Sequence, residues 1–397
     1  MMTNFHRLQK MEAKDSRWIL GLMSGTSMDG LDIALCEFKG NGTNTEWKLH
    51  AFETMPHTPI YKEGVRKVFA RKDAFAEDLL ALHQEIAEDH ALKIQNVLDR
   101  WGLEPERVDM IASHGQTVYH APGHQAGTQY PDRNLTLQLG DGDVLAAKTG
   151  IVTISDFRQK HIAHGGEGAP LAPYGDVLLF SDEKEDRVLL NIGGIANFTY
   201  VPSRSSSLPV ISSDTGPGNT IMDAYMREHF SKPYDKDGRT AEKGVIHESL
   251  LKSLLEHSYF DQSFPKTTGP EVFSMEYLTQ RIRALGGEKI SHEDVMATLN
   301  AFTAHSIAQA LKPYGSENTG IYISGGGGHN PVLVQQLKDM LPQTRIKSTA
   351  LLGLDPDAKE AVIFALLANE CLFGEPWKYP VAGGGMPPVT MGKISFP

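Results

Sequence analysis

Cysteine is nearly missing from this chain. Cys36 and Cys371 are the two among 397 residues, and neither belongs to a C-x-x-C. That excludes a zinc ribbon or a dithiol redox motif and fits a reducing cytoplasm. Positive charge is in deficit, with 38 Lys and Arg against 49 Asp and Glu and a net charge of −11. No dense basic run offsets it, so the electrostatic footprint of a nucleic-acid partner is absent. A nucleotide ligand stays admissible, because backbone N–H groups hold phosphate without net positive charge. No apolar run reaches the roughly 18 residues of a membrane span. Residues 1–17 lack the apolar stretch of a secretory signal. The expectation is a soluble cytoplasmic protein with no membrane and no nucleic-acid partner. What is present is ordinary for an enzyme: 40% hydrophobic and 22% charged residues, too apolar for disorder. At about 100–200 residues per domain, the length suggests two domains.

Residues 1–17 read as a disordered or loosely docked leader, 18–183 as one domain, 184–375 as a second, and 376–397 as an irregular tail holding Gly383-Gly384-Gly385 and Pro387-Pro388. Short apolar runs predict strands at 19–23, 31–38, 47–54, 108–112 and 151–154. Helical periodicity covers 74–101, 144–148 and 170–180. The order then restarts, with strands at 187–192, 197–201, 209–213, 320–324 and 345–348. Helices are expected from 219, at 294–311, 331–340 and 359–373, with a turn-rich stretch at 232–287. The order βββαβαβα therefore occurs twice. An α/β chain of this kind resembles the ribonuclease H-like, actin-like ATPase superfamily of actin, Hsp70 and sugar kinases. That resemblance implies duplicated domains around an interdomain cleft in which nucleotide lies.

Polar or glycine-bearing segments fall at the strand ends. In the run 21–32, Gly25 and Gly30 permit tight turns and close ligand approach. Ser24, Thr26 and Ser27 offer hydroxyls, while Asp29 and Asp32 would repel a phosphate unless Mg²⁺ intervened. The run is either a phosphate nest or a plain hairpin turn, and it is no Walker A loop, lacking the Gly-Lys-Ser/Thr end. Gly193 and Gly194 stand at the matching place in the second repeat, as a second backbone cradle or a bulged hairpin. In Asp214-Thr215-Gly216-Pro217-Gly218-Asn219, between a strand and a helix, Asp214 is either a general base or a helix cap. Gly325, Gly326, Gly327 and Gly328 precede His329 and Asn330. Each glycine costs backbone entropy, and the run reads as room for a nucleotide against the main chain. His114, Gln116 and Thr117 end a strand and read as substrate contacts. With His120, His124, His161 and His164 they match no zinc spacing. Arg158 either grips a carboxylate or pairs with Asp156. Glu360 either stabilises the last helix through its dipole or touches a ligand.

Six of these segments, in order, resemble the signature of the anhydro-N-acetylmuramic acid kinases. They are Gly21-Leu22-Met23-Ser24-Gly25-Thr26-Ser27-Met28-Asp29-Gly30, Ser113-His114-Gly115-Gln116-Thr117, the run 165–170, Asn191-Ile192-Gly193-Gly194, Asp214-Thr215-Gly216-Pro217-Gly218-Asn219 and Ser324-Gly325-Gly326-Gly327. They span most of residues 18–373. The resemblance implies an ATP- and Mg²⁺-dependent enzyme that converts 1,6-anhydro-N-acetylmuramic acid and water to N-acetylmuramic acid 6-phosphate, in cell-wall recycling, and a homodimer. Carried over residue by residue, Gly25, Thr26, Ser27, Met28, Asp29, Gly30, Leu31 and Asp32 form the ATP phosphate segment. Gly193, Gly194, Gly216, Gly218, Asn219, Gly325, Gly326, Gly327 and Asn330 are further nucleotide contacts, and Asp214 is the general base. His114, Gln116, Thr117, Arg158 and Glu360 contact the sugar, Arg158 its lactyl carboxylate. The chain departs from the pattern twice. Where the wider superfamily has a metal-holding Asp in the first strand, Gly21 and Ser24 stand here, so Asp29 or Asp32 is expected to take the metal. Glu167 replaces an expected Gln. The alternatives are another sugar or carboxylate kinase of the same fold, or an Hsp70- or actin-type ATPase binding module.

Overall fold

The computed structural model describes residues 3–123, 129–286, 289–376, 381–382 and 386–397. His124 and the Gly383-Gly384-Gly385 run lie outside the described residues. By packing, the chain divides into two units. One holds Met1–Leu179 and the described residues from Asp357 onward, except Val381 and Ala382. The other holds Phe180–Pro356 and those two residues, Val381 bridging to Val210.

The first unit opens with helix α1 (Asn4–Glu12), strands β1 (Arg17–Ser24), β2 (Gly30–Lys39) and β3 (Glu46–Pro56), and helices α2 (Pro59–Val68) and α3 (Ala76–Trp101). Strands β4 (Met110–Ala121) and β5 (Leu135–Leu139), helix α4 (Gly142–Thr149), strand β6 (Val152–Ser155) and helices α5 (Phe157–Ala163) and α6 (Ala172–Phe180) follow. The second unit contains β7 (Asp186–Ile192), β8 (Ile195–Val201), β9 (Ile211–Pro217), α7 (Thr220–Phe230), α8 (Glu248–Leu255), α9 (Met275–Ala284), α10 (His292–Leu311), β10 (Thr319–Ser324), α11 (Pro331–Met340) and β11 (Arg345–Ser348). Helix α12 (Lys359–Phe373) and strand β12 (Lys393–Ser395) return to the first.

The two sheets share one wiring. In the first, the order is β12-β6-β4-β1-β2-β3, with β5 pairing β4. Strands β1, β2 and β3 are antiparallel, while β4 and β6 run parallel to β1. In the second, the order is β11-β10-β7-β8-β9, again with three antiparallel strands and two parallel ones. This is the ribonuclease H-like pattern, present twice.

Parallel sheets need both faces covered, and the first sheet shows how. Leu20, Leu22, Leu31, Ile33 and Leu35 pack on the apolar stripe of α3, through Ala87, Ala91, Ile94, Val97 and Leu98. The opposite face receives α12, so close that a Cβ at Gly21 would lie 1.9 Å from the Ala361 carbonyl oxygen. In the second unit, Val188, Leu190, Ile192, Phe198 and Ile321 pack with Ala304 and Ile307 of α10 and with Leu333 and Leu337 of α11. Among the described residues, no helix is long and apolar enough to cross a membrane.

Several expectations are revised. The stretch read as a loose leader carries α1, capped by Thr3 Oγ1 accepting from the His6 N–H and docked through buried Met11. The tail read as irregular supplies β12, which pairs with β6. The last helix was assigned to the second domain but packs in the first unit, because Gly21 and Gly175 make room for it there. The turn-rich stretch contains α8 and α9, whose apolar residues Leu250, Leu254 and Leu278 join a helical core with α10. Strand β4 continues past residues 113–117, which were expected to end it, as far as Ala121.

Candidate functional site

In the first unit, Ser24 and Leu31 are paired at the end of the β1–β2 ladder, so residues 25–30 close a hairpin. The Met28 N–H donates to the Gly25 carbonyl at 3.2 Å, and Met28 holds a φ of 59°. Thr26, Ser27 and Asp29 are exposed at the tip. The tip thus offers backbone N–H groups and two hydroxyls to an incoming anion. Ser24 does not join them. Its hydroxyl is buried and turned inward, donating to Gln116 Oε1 at 2.6 Å.

Gln116 also departs from its expected role. It is fully buried, its Oε1 taken by Ser24 and by the Tyr61 hydroxyl at 3.3 Å, its Nε2 by the carbonyls of Gly25 and Thr117. Saturated in this way, it braces the hairpin from behind and offers no group to a sugar. Thr117 Oγ1 accepts from Gln138 at 3.2 Å. His114 is buried against Phe364, and its Nε2 accepts from Arg158 Nε at 3.0 Å. Burial, then the adjacent guanidinium, pushes His114 down to about 3, so it is neutral. Its contribution is to hold Arg158 rather than to meet a ligand itself.

Arg158 is fixed a second time by Nη1 donating to the Gly168 carbonyl at 2.8 Å. The surface pair with Asp156 is not formed, since Asp156 bonds Lys393 at 2.7 Å. Burial lowers the Arg158 guanidinium to about 10, and the charge of Glu360 opposes that shift. Glu360 opens α12, anchored by the neighbouring Lys359, which pairs with buried Asp176 at 2.7 Å. Loss of water pushes the Glu360 carboxyl up, Arg158 and Lys359 oppose this, and Asp32 adds to it. Asp32 accepts from Thr54 Oγ1 at 2.6 Å; loss of water raises it, with Asp357 adding a smaller push. A cationic guanidinium and mutually repelling carboxyls thus share one face of this unit. Among the described residues, no group of three or more His, Cys, Asp or Glu is placed to hold a metal ion. Mg²⁺ needs only one or two protein carboxylates when phosphate oxygens and waters complete its shell. Asp32, raised chiefly by loss of water with a smaller push from Asp357, is a carboxyl whose charged form a nearby cation would favour.

In the second unit, Gly193 and Gly194 form the β7–β8 turn. Their carbonyls accept the N–H groups of Gly218, Asn219 and Thr220 at 2.8–3.1 Å, so this turn satisfies the N-cap and first residue of α7. A Cβ at Gly218 would meet the Gly193 oxygen at 2.2 Å. Asp214 sits on β9 just before a bulge, where Asn197 pairs with Asp214 but Ala196 pairs with Gly216. Bulges re-aim side chains near functional sites. Its Oδ2 accepts the Thr268 N–H at 2.9 Å, and its main chain is clamped by Lys266 and by the Tyr259 hydroxyl. Asp214 caps no helix. Loss of water raises its carboxyl, and the Thr268 N–H partly offsets this.

Three of the four glycines divide by role. A Cβ at Gly327 would strike Ile192 at 2.3 Å, and one at Gly325 would strike the Ile192 main chain at 2.7 Å. Both therefore serve close packing on β7, where the sequence suggested room for a nucleotide. Gly326 differs: its nearest neighbour would be Asn219 at 3.6 Å, and it lines a pocket of about 390 Å³ with Asn219, Asp223, Tyr234 and His329. Asn330 also borders this pocket, but its side chain caps α11 and donates to Asn300.

Sequence reasoning missed His57, Lys93 and Asp89 behind the hairpin, and Thr268 beside Asp214. Lys93 left a signal, because it falls on the buried stripe of α3 with Ile86, His90 and Val97.

A family model described as anhydro-N-acetylmuramic acid kinase matches residues 17–397. Among curated relatives, the anhydro-N-acetylmuramic acid kinase of Pseudoalteromonas atlantica is 49% identical over all of both chains. The protein of the same name from Caldanaerobacter subterraneus is 39% identical over 98% of this chain and 100% of its own. Among solved structures, the activator of 2-hydroxyisocaproyl-CoA dehydratase from Clostridium difficile is 13% identical, with a TM-score of 0.39 over 89% of this chain and 95% of its own. A ROK hexokinase from Thermus thermophilus is 12% identical, with a TM-score of 0.36 over 89% and 99%.

Proposed function

The chain belongs to the anhydro-N-acetylmuramic acid kinase family, and from that premise we propose that it uses ATP and water to convert 1,6-anhydro-N-acetylmuramic acid to N-acetylmuramic acid 6-phosphate and ADP. The observation that carries this reading is Asp214, a partly desolvated carboxylate with one oxygen fixed by a backbone N–H. Such a group is fixed in direction and more basic than an exposed aspartate.

Asp214 takes a proton from water as the water oxygen attacks the anomeric carbon. The bond from that carbon to O6 breaks, and its electron pair stays on O6. O6 then attacks the γ-phosphorus, the bridging bond to the β-phosphate breaks, and ADP leaves. Asp214 afterwards releases its proton to solvent. Residues 25–30 receive the phosphates through N–H groups and hydroxyls, while Leu31, expected among the phosphate contacts, is buried in the core against α3. The pocket beside Gly326 takes the nucleoside, with Asp223 as acceptor for a sugar hydroxyl. Arg158, held rigid by His114 and Gly168, pairs with the lactyl carboxylate, and Glu360 bonds hydroxyls of the sugar. Mg²⁺, held by Asp32, would neutralise charge on the phosphates. Everything else is positioning and electrostatics, as in phosphoryl transfer generally.

The substrate is a product of peptidoglycan turnover, so the role is cell-wall recycling. Unpaired cysteines fit a cytoplasmic site, and a homodimer is the assembly we expect. Purified protein should release ADP only when ATP, Mg²⁺ and the anhydro sugar are all present. ADP release at the same rate without sugar would overturn the reading in favour of a stand-alone ATPase.

A further inference from the structure

Behind the exposed tip of the β1–β2 hairpin runs a line of polar groups, of which Asp89, Lys93 and His57 have no part in the roles above. Asp89 and Lys93 lie one turn apart on α3, with Lys93 Nζ 2.6 Å from Asp89 Oδ2. The same Nζ is 2.8 Å from His57 Nδ1, and His57 Nε2 is 2.9 Å from Ser24 Oγ. Ser24 donates to Gln116 Oε1 at 2.6 Å, and Gln116 Nε2 donates to the Gly25 carbonyl at 3.3 Å. The line starts at a carboxylate a quarter exposed and ends on the first residue of the hairpin tip. Ser24, His57, Lys93 and Gln116 between them are at most 6% exposed.

Proton inventory gives one consistent set of directions from Lys93 to Gly25. An ammonium only donates, so His57 Nδ1 must accept and the ring proton sits on Nε2. That proton points at Ser24 Oγ, which leaves the Ser24 hydroxyl to donate to the Gln116 carbonyl. The Gln116 amide nitrogen is thereby turned toward Gly25. Burial and the neighbouring Lys93 push His57 down to about 3, so the ring is neutral and the tautomer is the only variable. His57 stacks on Tyr61 at 3.8 Å, and His90 lies beyond with its ring nitrogens lacking hydrogen-bond partners among the described residues. An ion pair whose ammonium is buried is a poor source of stability compared with apolar residues of the same shape. Its presence here calls for another account.

We propose that Asp89, Lys93 and His57 are positioning residues for the phosphate-receiving hairpin: the buried ammonium sets the sense of each hydrogen bond out to Gly25 and so holds residues 25–30 in the conformation that accepts ATP. The inference rests on reading that hairpin as the ATP phosphate segment. It assigns no group of the line to contact with a reacting atom.

The test uses full-length protein carrying Lys93→Met, His57→Phe, Ser24→Ala or Ser24→Thr, with Asp89→Asn as a variant at the solvent edge in case a core change impairs folding. Calorimetric titration with ATP, steady-state kinetics, melting temperature and hydrogen exchange of the peptide covering 24–30 are measured on each. Lys93→Met and His57→Phe are expected to raise Kd and KM for ATP about 10- to 100-fold, leave KM for the sugar within about twofold, and speed exchange in the nucleotide-free hairpin. Asp89→Asn should move the same quantities less, and Ser24→Thr should recover most of what Ser24→Ala loses. Unchanged ATP affinity in folded Lys93→Met, or equal KM increases for both substrates tracking a fall in melting temperature, overturns the proposal. Wild-type protein that binds no ATP overturns instead the reading of the hairpin. Hydrogen exchange in the nucleotide-free protein then still reports whether the buried line orders it.

Discussion

The backbone N–H of Thr268 donates to Asp214 Oδ2 at 2.9 Å, and among the described residues nothing bonds Oδ1. One oxygen is tethered and the other is left for a proton. Replacement by asparagine keeps the tether and removes the base. Asp214→Asn is expected to lower kcat about 10²- to 10⁴-fold while ATP binds within about twofold of wild type. Steady-state ADP release and calorimetric ATP titration check both halves.

The raised Asp214 carboxyl has a stability counterpart. A carboxyl whose folded pKa lies above its unfolded value binds protons more tightly when folded. Its ionisation therefore works against the fold: the native state is favoured below the unfolded pKa and loses that margin as pH rises through the folded pKa. Asp214→Asn should accordingly melt higher than wild type at pH 8, and the difference should vanish near pH 3, where both side chains are neutral. Melting curves across that range decide it, and equal melting at pH 8 would contradict the shift.

Arg158 is held by His114 and Gly168 at 3.0 and 2.8 Å, so its charge is presented without mobility. Arg158→Met removes one charge-assisted pair, worth about 1.5–3 kcal/mol. KM for the anhydro sugar should rise about 10- to 100-fold with KM for ATP unchanged. A sugar analogue lacking the lactyl carboxylate should show no difference between wild type and variant.

Gly326 and Gly327 are adjacent but answer to different demands. Gly327→Ala drives a methyl into Ile192, 2.3 Å away, and overpacking of this kind costs about 1–3 kcal/mol. Gly326→Ala meets nothing closer than 3.6 Å, so the fold should persist while KM for ATP rises several-fold. Thermal melts and ATP kinetics on the two variants separate the roles.

The repeated strand order was legible because antiparallel hairpins and alternating helices write themselves into local pattern. Asp214 was expected to end its strand, but β9 runs on to Pro217 and holds it mid-strand beside a bulge, which pairing with β8 decides and the local sequence does not show. The rest depended on distance along the chain. Lys93 meets His57 across 36 positions, and nothing near either residue announces the partner. Gln116 looked like a ligand contact because a polar residue at a strand end usually is one, yet β4 continues past it and encloses it. Gly325 and Gly327 resembled ligand-facing glycines because sequence cannot say that Ile192 lies against them. The same blindness assigned α12 to the wrong unit, since its docking place is set by Gly21 more than 300 residues earlier.

That helix orders events during synthesis. When a ribosome has delivered β1 to β6, the face of the sheet around Gly21 still lacks its cover, and Phe180–Pro356 must be translated before α12 can arrive. The second unit, nearly continuous in sequence, can close its core on the nascent chain. The first must wait with apolar surface open to water until the last forty or so residues emerge, a window in which chaperone capture or premature association competes with completion.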